Sequence, residues 1–221
     1  MDVAFAFLSV IPLGNLLLQP KTVISTAAKR SGQTPVFLSP AAKIIMEQES
    51  IHQPRGPMSQ PEPWLRNTLT DIDPIRRAVL HALELSAEDA HRWLDPLTDA
   101  QLLARPSGLA PIAFHIRHIA RSLDRLLTYA EGNQLTPAQL SALKTDLEGS
   151  TAAEARAEFR TALATSAVRI RAIHPSRFAD PAGVGRNQLS TTVAGLLIHC
   201  ADHTQRHTGQ FVTTAKLLQA S

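Results

Sequence analysis

From Asp73 onward, apolar residues recur at three- and four-residue intervals, and the breaks between these runs carry helix-capping signals. Asp73-Pro74 supplies an N-cap followed by proline at the first helical position, where its missing N–H is no loss and its φ is already helical. The predicted helix reaches about Trp93 and buries Ile75, Val79, Ala82, Leu83, Ala90 and Trp93. Pro96, Pro106 and Gly108 then mark a loop with a short turn at TDAQLLA. A second helix spans about Ala110 to Glu131 and stops at Gly132, a residue suited to the left-handed position after a helix. Thr136-Pro137-Ala138-Gln139 has the capping-box pattern and opens a short helix. A further box, Thr151-x-x-Glu154, opens a third long helix that ends near His174, before Pro175. Residues 175–188 read as a Pro/Gly loop, and the last long helix runs from about Ser190 to Leu218. Four long helices with unequal connections predict an all-α fold, a four-helix bundle.

Residues 1–57 follow a different grammar. No amphipathic period persists there, and ESIHQPRGPMSQPEPW has the proline content of a linker. The chain is therefore divided into a poorly ordered extension, 1–57, and a helical domain, 58–221. Met58 stands immediately before the organised part, so the extension is read either as a disordered tail or as sequence upstream of the true start. The opening MDVAFAFLSVIPLGNLLLQP lacks a positive n-region, carries Asp2, and is broken by Pro12 and Gly14, which argues against a secretion signal. No apolar run reaches the roughly 20 residues of a membrane helix.

Composition supports the helical reading and narrows the chemistry. Hydrophobic residues make up 44% of the chain but aromatics only 5%, and the apolar set is dominated by Ala and Leu, both strong helix formers. The net charge is +3, of which the extension carries +2, so the domain is nearly neutral and offers no footprint for nucleic acid. Cys200 is the single cysteine, which excludes an internal disulfide and a Cys-rich zinc site and fits a reducing cytoplasmic setting.

Five of the nine histidines fall in two helices: His115 and His118, then His199, His203 and His207. At about 100° per residue, Val193, Leu196, Leu197, Cys200, Phe211, Ala215 and Leu218 define the buried face of the last helix. His207 falls inside that stripe, His203 at its edge, and His199 well off it. His203 and His207, one turn apart, can share one ion. The metalloprotease pattern is not met, because Cys200 stands where its glutamate would be. A di-iron bundle needs two Glu-x-x-His motifs, and the domain has only Glu88-x-x-His91. On the second helix Ile112, Ile116, Ile119, Leu123, Leu126 and Ala130 form the core face, and His115 lies closer to its centre than His118. Periodicity alone favours His115 as a third ligand.

The segments PIAFHIRHIARSLDRLLTYAEG and LLIHCADHTQRHTGQFVTTAKLL, with the preceding LTDAQLLARPSG loop, resemble the DinB/YfiT-like family over Pro63 to Leu218. The most specific part is His203-x-x-x-His207 closely followed by Gly209-Gln210. Many members carry Arg directly before that glycine, where this chain has Thr208. The resemblance implies a four-helix bundle holding one divalent ion, zinc or nickel, with one histidine from the second helix and two from the last. Carried over residue by residue, these are His118, at the start of His-Ile-Ala, and His203 and His207. His115 stays open as the alternative to His118.

Three neutral imidazoles leave an ion its full charge and an open position, suited to activating either water or a thiol. The resemblance implies thiol-dependent transfer or isomerisation in some members, with a low-molecular-weight thiol cosubstrate, and a homodimer in many. A hydrolase would need a general base, and Asp202 and Asp124 are the nearest acids in sequence, although Asp202 falls on the solvent side of its helix. Arg206 and Arg125 are read as surface charges before anion binders, and Cys200 as a buried small hydrophobe before a fourth ligand. Two function classes stay open: a metal-dependent enzyme acting on an unidentified small molecule, and a non-catalytic binding or stress-response protein with a structural ion or none.

Overall fold

The computed structural model describes residues 60–143, 145 and 150–220. These belong to the unit Pro57–Ser221, and the extension read over residues 1–57 lies outside them. The α-helices are α1 (Pro74–Leu94), α2 (Asp99–Leu103), α3 (Ile112–Ala130), α4 (Pro137–Ala142), α5 (Ala152–Ala172) and α6 (Val193–Gln219). The four long ones form the bundle, with α3 packed against α5 and α6, and α1 packed against α6.

The capping residues fix where each helix begins. The Asp73 carboxylate accepts from the backbone N–H groups of Ile75 and Arg76. Thr98, Thr136 and Thr151 each form a complete capping box, with Gln101, Gln139 and Glu154 returning to the cap N–H. Each box satisfies donors that a helix start otherwise leaves unpaired. Gly132 follows α3 with φ +89°, a conformation that favours a residue without Cβ.

Cross-helix contacts give the directions. Arg117 and Arg121 on α3 bind Glu158 on α5, and further along Arg169 on α5 binds Asp124 and Glu131 on α3, so these two helices run parallel. Ala82 and Ser86 on α1 meet Gln205 and Thr208 on α6, and Trp93 meets Gln219, so that pair is parallel too. Across the pairs the sense reverses: Arg76 reaches the carbonyls of Arg171 and Ile173, whereas Arg156 reaches those of Leu94 and Leu97. The topology is up-down-down-up, with the long crossover between α3 and α5.

The core joins Val79, Leu83, Ile112, Ile116, Leu123, Phe159, Ile170, Leu197 and Phe211 into one cluster. Phe159 and Phe211 meet edge to face across it at 6.4 Å, and a fully buried side chain of this size contributes about 1.5–3 kcal/mol. The seam between α1 and α5 is looser. A groove of about 430 Å³ runs along it, floored by Leu94, Ile116, Phe159 and Leu163 and edged by Arg156 and Arg160.

The segment before α6 corrects the sequence reading. Residues expected to form only a loop include an antiparallel hairpin, β1 (Pro181–Val184) and β2 (Leu189–Thr192), joined by a four-residue turn. α6 accordingly begins at Val193, capped by Thr192, and not near Ser190. Strands of four residues, none of them buried, leave no alternating apolar signature to read. No helix among the described residues is long and apolar enough to cross a membrane.

Candidate metal centre

The antiparallel faces of α3 and α6 bring histidines together. His118, His203 and His207 each present one ring nitrogen such that all three lie within 4.8 Å of one another. Ring centroids are 5.0 Å apart for His118–His203 and 4.6 Å for both His118–His207 and His203–His207. The two α6 residues come together because they are one helical turn apart. His118 meets them because Ile112, Ile116, Ile119 and Leu123 anchor the neighbouring face of α3 in the core.

His115, one turn before His118, packs behind the cluster. Its Nδ1 lies 3.2 Å from Nδ1 of His207, and the residue is only 6% exposed. Phe114 stacks on His118 at 5.3 Å and presents an edge to His115, so one apolar ring constrains both imidazoles. Behind His207, the Thr208 hydroxyl meets that of Ser86 on α1 at 2.7 Å, both in the core.

Burial dominates the electrostatics. It holds His203 down at about 3, with His207 and His118 adding repulsion, and holds His115 and His207 near 4, each with a lesser push from His118. These rings are neutral at pH 7, and a neutral imidazole keeps a lone pair for a ligand bond. The donor set therefore fits a divalent cation of borderline softness such as zinc or nickel.

The remaining candidates sit elsewhere. His199 is exposed and 3.5 Å from Asp202, which Arg206 also binds at 2.8 Å. Asp124 is tied to Arg169 and Gln139. Cys200 is fully buried, and burial pushes its thiol up to about 12. Arg125 corrects the reading as a surface charge: it is 4% exposed and donates to Ser122 one turn away. A second correction concerns depth on α6, where His203 is 9% exposed and His207 is less buried, the reverse of their order on the helical wheel. α6 packs against both α1 and α3, so its buried stripe is wider than its aliphatic residues suggest.

The sequence reading missed Phe114, Ser86 and the contact between His115 and His207. Ser86 was the most accessible of these, because it continues the spacing of Val79 and Leu83 and so falls on the buried face of α1.

A bundle of this topology with three histidines gathered between two antiparallel helices defines the class of protein. The match to the DinB superfamily covers residues 82–211, from α1 to the middle of α6 and including every histidine of the cluster. The chain belongs to that superfamily. Comparison with curated proteins gives no match.

Proposed function

We propose that this protein is a metal-dependent enzyme in which His118, His203 and His207 hold one divalent ion, zinc or nickel, and a low-molecular-weight thiol serves as cosubstrate toward a small electrophile. The observation that carries the proposal is the convergence of three imidazoles, two of them held neutral by burial, from facing helices. When bound, such an ion supplies Lewis acidity that makes a thiol more acidic.

The residues of the chain contribute position and neutrality. His118 and His207 are partly exposed, so solvent reaches the cluster. Phe114 limits the rotation of His118, and the Ser86–Thr208 contact anchors α6 behind His207. The nucleophile comes from outside the chain on this reading. Cys200 is locked in the core as a thiol, and the two acids suggested as hydrolytic bases, Asp202 and Asp124, are engaged with arginines.

The experiment is a thiol-transfer screen with zinc- and nickel-loaded protein, a panel of small thiols, and alkyl and epoxide electrophiles. Wild type is expected to form the thioether, and His203→Ala to lose that activity. Equal rates in the two proteins overturn a metal-centred reaction. Stoichiometric metal with no transfer by any pair overturns the thiol-transfer reaction and leaves the metal site standing.

A further inference from the structure

We infer that His115 is a positioning residue for His207, accepting the Nδ1–H of that ring and committing its Nε2 lone pair to the ion. The inference rests on the metal reading above and concerns how one of its ligands is held.

A neutral imidazole has one N–H and one lone pair. For two Nδ1 atoms 3.2 Å apart to share a hydrogen bond, one ring must donate and the other accept. Either ring could donate if nothing else constrained the pair. His207 also belongs to the cluster, and that constrains it. If its Nδ1 accepted, its proton would sit on Nε2 and the ring would have no lone pair left for a ligand bond. If its Nδ1 donates, Nε2 carries the lone pair. Only this arrangement satisfies both contacts, and it places the proton of His115 on its own Nε2.

His115 is not itself placed as a ligand. Among the described residues, the group whose donor atoms lie mutually within 4.8 Å is His118, His203 and His207. The His115 ring centroid lies 5.4 Å from that of His207. Ligating histidines commonly pass their other N–H to a carboxylate, a carbonyl or water. Here a second imidazole, held in the core of α3 and braced by Phe114, occupies that place. The Gln210 side chain also reaches His207, so the test separates the two.

Long-range proton–nitrogen correlation on ¹⁵N-histidine-labelled, zinc-loaded protein reads the tautomers directly. The expected pattern is His207 protonated at Nδ1 and bound through Nε2, with His115 protonated at Nε2. Zinc affinity, measured by competition with a chromophoric chelator, is expected to fall about 10–100-fold in His115→Leu. His115→Asn, whose amide oxygen replaces the Nδ1 acceptor, restores most of it, and Gln210→Ala leaves it unchanged. Zinc bound to His207 through Nδ1, zinc on His115, or wild-type affinity in His115→Leu overturns this inference while leaving the three-histidine site intact. Failure of the wild type to bind zinc overturns the site and the inference together. If His115→Leu does not fold, the wild-type nitrogen spectrum decides alone.

Discussion

Ser86 on α1 and Thr208 on α6 share a hydroxyl contact of 2.7 Å where neither residue meets water. Thr208 follows His207, so the contact fixes the phase of α6 at the cluster. Removing one hydroxyl strands the other in the core, and an unsatisfied buried group costs about 1–3 kcal/mol. Ser86→Ala and Thr208→Val are each expected to lose that much in urea unfolding. The double variant, which removes both groups, is expected to lose less than the sum. Strictly additive losses would show that the hydroxyls do not depend on each other.

Thr151 tests the caps in the same way. Its side chain accepts from the N–H of Glu154, whose carboxylate returns to the Thr151 N–H and hydroxyl. Thr151→Ala is expected to destabilise the protein by about 0.5–2 kcal/mol, and Thr151→Ser to retain the cap. Thermal unfolding of the two variants side by side distinguishes a lost cap from a generic surface change.

Cys200 bears on the source of the nucleophile. A thiol pushed up to about 12 in a fully buried site is not a thiolate at neutral pH. Labelling with a disulfide reagent at pH 8 is expected to be slow in the folded protein and to reach one equivalent only in denaturant. Cys200→Ala is expected to keep the full metal content. Rapid labelling of the native protein, or loss of metal in the variant, would assign Cys200 to the site.

The depressed histidines give the metal-free protein a pH signature. His115, His203 and His207 titrate near 4, 3 and 4 when folded, against an ordinary value of 6.5. Below about pH 6.5 the unfolded chain takes up protons that the folded rings refuse, so stability falls with falling pH. It is complete above pH 6.5 and declines toward the folded values. The window from about pH 6.5 to 5 lies above the ordinary carboxylate range, so urea midpoints there report these rings. A steady decline is expected in wild type and a shallower one in His203→Asn. A flat wild-type profile would contradict the buried, neutral state.

Much of this was legible before the structure. The boundaries of α1 and α5 follow from Asp73-Pro74 and from the box at Thr151, because caps are local chemistry between residues three apart. The buried faces of α3 and α6 follow from period alone, down to Cys200 and Phe211. Depth within a face did not follow: His203 and His207 exchanged order because α1 and α3 both cover α6. Period also measured the wrong property for His115 and His118. It ranked burial correctly, since His115 is the deeper of the two, but the cluster forms where two helices face each other at the rim of the core. The hairpin before α6 rests on two short strands and the burial of Arg125 on the packing of α5 and α6 against α3, and neither leaves a periodic trace.

The central claim is that His118, His203 and His207 hold one ion. Protein prepared without a histidine tag is stripped with a chelator, reloaded with zinc or nickel, and dialysed, and the metal bound per chain is then counted by mass spectrometry. One ion per chain is expected in wild type, with loss in His118→Ala, His203→Ala and His207→Ala while the helical circular dichroism persists. No bound ion in wild type, or undiminished metal in His207→Ala, would contradict the claim.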